Sequence, residues 1–192
     1  NERAITGVCA RLEDLCGNVR EAAARTLAKV AERGDERAIT GVCARLEHTK
    51  GDVRRAALFA LKQVAEKGDE RAVTAVCERL EDRNITVRSE AAKALTLLAK
   101  KGDELAIAVA CARLEHENGH VREVAVQALA ELAEEGDERA IIGVCARLEH
   151  VHGYVREAAL QALTQVTKRG DERAILGTCA LLEDEDVYVR EA

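Results

Sequence analysis

The chain has 192 residues, of which 47% are hydrophobic and 2% aromatic, and its formal net charge is −6. This size and hydrophobic content are sufficient for an ordinary buried core. The acidic balance disfavours sequence-independent nucleic-acid binding, which needs a basic surface. No apolar run approaches the roughly 20 residues of a membrane-spanning helix. We therefore expect neither nucleic acid nor a membrane as partner.

The chain repeats itself with a period of 34 residues. The segment from Asp35 to His48 returns with few changes at five other places, which begin at Asn1, Asp69, Asp103, Asp137 and Asp171. A fixed period of this size indicates a stack of supersecondary units. We predict a single array over residues 1–192, with repeats 1–34, 35–68, 69–102, 103–136, 137–170 and a partial repeat 171–192.

Each repeat is predicted to contain two helices, here called helix A and helix B. In the second repeat, Gly34 is predicted to adopt the left-handed conformation and Asp35 to cap helix A, which runs to about Glu47. After a short loop, helix B is predicted from Val53 to about Lys67. The apolar side chains recur at helical spacing: Ile39, Val42, Cys43 and Leu46 on helix A, and Val53, Ala57, Ala60, Leu61 and Val64 on helix B.

A Val-Arg pair opens every helix B. The pairs are Val19-Arg20, Val53-Arg54, Val87-Arg88, Val121-Arg122, Val155-Arg156 and Val189-Arg190. The arginines are predicted to bridge to acidic residues beside the loops and to form a charged ladder, rather than to contact a ligand. Tetratricopeptide repeats share the 34-residue period, but their aromatic and proline pattern is absent.

The Val-Arg pairs recur together with a Gly-Asp-Glu-Arg-Ala segment that opens helix A. A repeat with these two motifs resembles HEAT-like repeats of the phycobilisome-lyase type. Such a repeat is also similar to the artificial HEAT-like repeat binders built from that family. The resemblance implies an all-α fold, a right-handed α-solenoid of two-helix repeats, in which helix B lines the concave side.

Six of the seven cysteines occupy one repeat position: Cys9, Cys43, Cys77, Cys111, Cys145 and Cys179. Packed helices lie about 8–10 Å apart, whereas a disulfide needs Cα atoms within about 7 Å. We predict small, reduced, buried core residues, with Cys16 exposed in a loop. Free thiols favour a reducing compartment and hence a cytoplasmic location.

The repeats differ most along one stripe of helix B. The helix B stripe comprises Asp52, Arg55, Phe59 and Gln63 and their equivalents in the other repeats, at i, i+3, i+7 and i+11. The resemblance implies that this stripe lies on the inner surface. The predicted partner-binding residues are Arg25, Arg55, Phe59, Lys93, Leu97, His120, Gln127, Glu131, Tyr154, Gln161 and Tyr188.

Aromatic anchors among polar groups are typical of protein interfaces, so we predict a non-catalytic protein–protein interaction scaffold. Variation on a solvated face without function is the competing interpretation. The resemblance alone suggests a second function, a lyase or chaperone for bilins. The similarity of the copies also fits an engineered consensus repeat protein with no native partner.

One short segment matches the zinc-binding motif of metalloproteases. The segment from His116 to His120 matches H-E-x-x-H, but that chemistry needs both histidines on one helix face. We interpret the match as coincidence in a loop, and weak binding of a metal by His116, His120, His150 and His152 is the alternative. No catalytic site and no cofactor are predicted. Because neither end has a polar capping repeat, we expect a longer array or end-to-end self-association.

Overall fold

The computed structural model describes residues 2–191, and these residues contain helices and loops but no strand. They divide into two compact units, one that extends to Lys100 and one that begins at Lys101. Each unit is a stack of antiparallel helical hairpins, so the predicted all-α solenoid of two-helix repeats is confirmed. Whether the two units form a single array stays a prediction.

The first unit contains three hairpins. Their helices are α1 (Glu2–Arg11), α2 (Gly17–Val30), α3 (Glu36–Leu46), α4 (Gly51–Val64), α5 (Glu70–Glu78) and α6 (Ile85–Leu98), with a short 3-10 turn at Arg79–Glu81. The B helices pack side by side, α2 on α4 and α4 on α6, and the A helices pack likewise. Each hairpin thus covers the apolar side of its neighbour.

The second unit repeats this arrangement. Its helices are α7 (Glu104–Arg113), α8 (Gly119–Leu132), α9 (Glu138–Cys145), α10 (Gly153–Val166), α11 (Glu172–Cys179) and α12 (Val187–Glu191). Helix α8 packs on α10 and α10 on α12, while α7 packs on α9 and α9 on α11.

Helix A begins as predicted, at an aspartate cap. The Oδ1 atom of Asp35 accepts hydrogen bonds from the backbone N–H groups of Arg37 and Ala38, both at 2.9 Å. These bonds satisfy donors that a helix N-terminus leaves free. The residue before the cap, Gly34, has a φ of +86°, which confirms the predicted left-handed conformation.

Helix B differs from its predicted bounds at both ends. It begins at Gly51 rather than Val53, and it ends at Val64 rather than Lys67, because Ala65 is extended with ψ of 146°. The linker of the preceding repeat explains the early end. The N–H of Gly34 donates to the carbonyl oxygen of Val64 at 2.7 Å, so a neighbouring hairpin supplies the donor for this end of the helix.

The core lies between the two helix layers of each unit. The predicted apolar residues of helix B, from Val53 to Val64, are at most 1% exposed, and Ile39, Val42 and Leu46 of helix A are equally buried. Burial of each Val, Leu or Ile side chain among them contributes about 1.5–3 kcal/mol. Ala, Val, Leu and Ile make up most of these layers, with a few buried cysteines among them.

The cysteines follow the prediction in part. All seven are free. Cys9, Cys77 and Cys111 are buried, Cys43 and Cys145 are half-buried, and Cys16 is exposed as predicted. Burial raises the pKa of the Cys43 and Cys111 thiols to about 11. The prediction is wrong for Cys179, which is exposed because α11 contributes no buried residue.

Candidate protein-binding face

The arginine of each Val-Arg pair forms hydrogen bonds between helix B and the loop that precedes it. In the second repeat, Nη1 of Arg54 donates to the carbonyl oxygens of His48 at 2.7 Å and Thr49 at 3.0 Å. The corresponding atom of Arg122 makes the same two bonds, to His116 and Glu117. These arginines therefore have a structural role, as predicted, but the partners at these loops are backbone carbonyl oxygens rather than the predicted acidic residues.

A second bond joins some of these arginines to the next repeat. Arg54 donates through Nε and Nη2 to the two carboxylate oxygens of Asp82, both at 2.6 Å, and the two side chains are only 5% and 4% exposed. Burial alone raises the pKa of Asp82, but the bonds from Arg54 and from the N–H of Asn84 hold it below its ordinary value. Arg156 pairs with Asp184 in the same bidentate geometry.

The partner changes where the next repeat has histidine at the position of Asp82. The histidines at this position are His48, His116 and His150. Arg20 then pairs with the carboxylate of Asp52 at 3.2 Å, and Arg122 stacks over the ring of Tyr154 at 4.4 Å. This position of the helix B stripe, next to the loop, therefore also serves the framework.

The first unit carries five of the predicted partner-binding residues, on three adjacent helices. Arg25 is on α2, Arg55 and Phe59 are on α4, and Lys93 and Leu97 are on α6. Phe59 is half-buried and the other four are exposed, Leu97 to 60%. Arg25, Phe59 and Lys93 occupy the same repeat position, so they form one row across the three helices.

A groove of about 420 Å³ lies beside this row. Phe59, Ala24 and Ala56 supply its apolar wall, and Arg55 and Glu90 are among its charged lining residues. The groove combines an aromatic surface with charged side chains of both signs. This combination suits a peptide segment that has one apolar and several polar side chains.

Sequence reasoning missed Glu90. Its carboxylate forms an ion pair with Lys62, whose ammonium lies 5.4 Å from the centre of the Phe59 ring. The equivalent residues in the other repeats are Ala22, Ala56, Val124 and Ala158. A single charged residue at an otherwise apolar position is a signal that could have identified it.

The second unit carries the other six predicted residues. His120, Gln127 and Glu131 are on α8, Tyr154 and Gln161 are on α10, and Tyr188 is on α12. His120 is half-buried, and its Nδ1 lies 3.5 Å from the carboxylate of Glu123. The remaining five are exposed, including Tyr188 at 69%.

An aromatic stack lies at the loop end of this stripe. The ring of His152 is stacked on that of Tyr154, with centroids 5.1 Å apart, and His150 lies 5.4 Å beyond. Tyr154 therefore contacts both His152 and Arg122 through its ring.

The metalloprotease-like pattern spans the loop between α7 and α8, as predicted. Nδ1 of His116 accepts a hydrogen bond from the backbone N–H of Asn118 at 2.9 Å, and His120 lies in the first turn of α8. Across residues 2–191, no group of three His, Cys, Asp or Glu side chains is placed to hold a metal ion. Nor, within the same range, is any helix long and apolar enough to span a bilayer.

Several solved structures share this fold. A designed armadillo repeat protein in complex with the peptide (KR)4 is 16% identical, with 97% of this chain and 95% of that chain covered and a TM-score of 0.52. An engineered protein is 20% identical, with 97% and 92% covered and a TM-score of 0.53. The MAST/Orbit N-terminal domain is 21% identical, with 83% and 82% covered and a TM-score of 0.56. At these identities the likeness concerns the fold alone.

No curated protein sequence matches the chain significantly. The family model described as HEAT repeats matches it three times, in overlapping segments at residues 5–96, 39–130 and 73–164. Because these segments together span most of the sequence, the chain belongs to the HEAT-repeat family.

Proposed function

We propose that this protein is a non-catalytic scaffold that binds a protein partner through the helix B stripe. The observation that carries the proposal is a combination of variation and exposure. Helix A and the apolar side of helix B recur from repeat to repeat, whereas the stripe changes in every copy. Apolar side chains among exposed polar ones, such as Leu97 and Tyr154, are what a recognition surface needs.

The designed armadillo protein that shares the fold has a peptide in its complex, and this supports the same mode of use here. In such a mode, an extended segment crosses several parallel helices and contacts one or two stripe residues on each. The groove beside Phe59 offers an apolar contact at the middle of the first unit. The charged residues around it supply hydrogen bonds that select the segment.

The test is selection of peptides from a displayed random library against the immobilised protein. The variant Phe59→Ser/Leu97→Ser/Tyr154→Ser is expected to lose the selected peptides while its melting temperature stays close to that of the wild type. A matched control replaces three equally apolar, exposed residues outside the stripe: Leu15→Ser, Ile85→Ser and Ile142→Ser.

Retention of the selected peptides by the stripe variant overturns the proposal. Since Phe59 is half-buried and its loss can also destabilise the fold, the single variant Leu97→Ser is measured beside the triple variant. Leu97 is 60% exposed, so its effect on binding is separable from stability.

A second candidate is self-association through exposed apolar surface. Ile175 and Leu176 on α11 are 50% and 72% exposed, and a shallow cleft of about 270 Å³ lies between α1 and α2, lined by Val8 and Val19. Apolar patches of this kind favour association. Light scattering over a range of concentrations tests it, and a monomer at all concentrations contradicts it.

A further inference from the structure

The middle row of the helix B stripe in the first unit is cationic on both sides of an aromatic ring. Arg25, Phe59 and Lys93 share one repeat position on α2, α4 and α6, and these helices are direct neighbours. One turn further along, the next row consists of Lys29, Gln63 and Leu97, which adds one cation and one apolar side chain. A basic and apolar surface of this form is complementary to an acidic and apolar segment.

The acidic groups on this surface are already engaged within the protein. Glu21 pairs with Arg25 at 2.8 Å, Asp52 pairs with Arg20 at 3.2 Å, and Glu90 pairs with Lys62. In contrast, the structure gives no ion pair to Lys93 among residues 2–191. The guanidinium of Arg25 is 61% exposed and has five N–H donors, of which Glu21 takes one. Charge available to a ligand is therefore positive.

The corresponding surface of the second unit has the opposite character. The position of Arg25 and Lys93 is occupied there by the neutral residues Gln127 and Gln161. The charged stripe residues of α8 and α10 are Glu123, Glu131 and Glu157. No lysine or arginine occurs at these stripe positions of α8 and α10. An acidic ligand is attracted by the first unit and repelled by the second.

We propose that the helix B stripe of the first unit binds an acidic peptide segment of a protein partner. Its apolar residue contacts Phe59, and carboxylates on either side contact Arg25 and Lys93. This inference rests on the proposed function and specifies the chemistry of the ligand. Adjacent helices lie about 8–10 Å apart, so the two cations are about 16–20 Å apart. An extended peptide spans that distance in about five or six residues.

The probe is a labelled peptide of sequence Glu-Glu-Ser-Leu-Leu-Ser-Glu-Glu, compared with two peptides in which Gln or Lys replaces every Glu. Fluorescence anisotropy at low ionic strength, where surface charge is least screened, is expected to show at least about tenfold tighter binding of the Glu peptide. The variant Arg25→Gln/Lys93→Gln is expected to bind the Glu peptide about tenfold more weakly than the wild type.

The matched control is Lys50→Gln/Lys67→Gln, which removes the same charge from exposed positions of the first unit outside the stripe. Its affinity for the Glu peptide stays within about twofold of the wild type if the contacts are local. Equal weakening by both double variants, or equal affinity for the Glu and Gln peptides, overturns the inference. So does a dimer at low salt that Arg25→Gln/Lys93→Gln dissociates, since the occupant is then a second copy.

Failure of this inference and failure of the proposed function give different results. If the library peptides depend on the stripe but the Glu peptide does not bind, only the acidic chemistry is wrong. If the Glu peptide binds but Phe59→Ser/Leu97→Ser/Tyr154→Ser does not weaken it, the stripe itself is the wrong surface.

Discussion

The two units are built from one repeat but carry opposite charge. Residues 1–100 contain 19 Lys and Arg against 16 Asp and Glu, a formal charge of +3, and residues 101–192 contain 10 against 19, a formal charge of −9. The hairpins nevertheless have the same helices, the same aspartate caps and the same left-handed glycines. Surface charge therefore varies in this protein without a change of fold.

The difference in charge between the two units separates residues that stabilise the fold from residues that can change without affecting it. Arg54 in the first unit and Arg156 in the second make the same bonds to their loops and to a carboxylate of the next repeat. Lys93 on the stripe is exposed and has no ion pair among residues 2–191, so its replacement by a neutral or acidic residue removes no ion pair of the framework. Predictions about the framework should hold in both units, whereas predictions about ligand charge should not.

The largest expected effect is removal of the buried pair in the first unit. Asp82→Asn keeps the size of the side chain but leaves the charge of Arg54 buried without its counter-ion. We expect the free energy of unfolding to fall by about 3 kcal/mol, measured by urea denaturation. The matched control is Asp52→Asn, whose carboxylate pairs with Arg20 but is 64% exposed, and it should cost less than about 1 kcal/mol.

Asp184→Asn carries the same test into the second unit, where a loss of stability in the same direction is expected. If Asp82→Asn and Asp52→Asn destabilise equally, burial of the pair does not decide its contribution. If Asp184→Asn has no effect, the framework role of the arginines is not shared by the two units.

Acid should remove the same pair by titration. The pKa of Asp82 is lowered in the folded protein, so its contribution to stability is complete above its unfolded pKa of about 3.9 and is lost as pH falls through the lower folded value. The melting temperatures of wild type and Asp82→Asn should differ most near neutral pH and converge as the pH falls below the unfolded pKa and through the lower folded one. A constant difference across this range contradicts the assignment.

Much of this framework could be predicted from the sequence, because it depends on local patterns. The aspartate cap of helix A, the left-handed Gly34 and the apolar face from Val53 to Val64 all follow from residues within one repeat. The end of helix B at Val64 could not be predicted. It depends on the N–H of Gly34 in the preceding repeat, a contact that no local pattern reveals.

The candidate site shows the same limit. Exposure of Leu97 and Lys93 follows from helical periodicity, and so does the row that Arg25 and Lys93 form with Phe59. The ion pair between Lys62 and Glu90 at the groove needs side chains from two repeats, and their separation cannot be obtained from spacing along the chain. The exposed Cys179 shows that an equivalent repeat position does not guarantee an equivalent environment.

Substitution of a linker glycine tests whether its left-handed backbone conformation contributes to the stability of the fold. Gly102 has a φ of +76°, and a Cβ atom there would meet nothing within 4 Å, so Gly102→Ala is expected to cost about 1 kcal/mol through backbone strain alone. Gly7, inside α1, also has open space around it. Gly7→Ala should stabilise by about 0.5–1 kcal/mol. Urea denaturation of both variants measures the two signs, and destabilisation by both would mean that φ does not decide the effect of the added Cβ atom.

The smallest expected effect concerns Tyr154, where the framework and the helix B stripe meet. Tyr154→Ala removes the ring under Arg122 and should cost about 0.5–1 kcal/mol. Tyr154→Asp places a carboxylate where Asp52 faces Arg20 in the first unit, and it should restore most of that loss. Tyr188→Ala is the matched control, because Tyr188 is 69% exposed and has no ring contact within residues 2–191.

Thermal unfolding of the three variants measures these differences. Failure of Tyr154→Asp to recover stability would mean that the arginine needs a flat ring at this position of the second unit. The two units would then differ in their framework as well as in their charge, and Tyr154 would belong to the fold rather than to the binding surface.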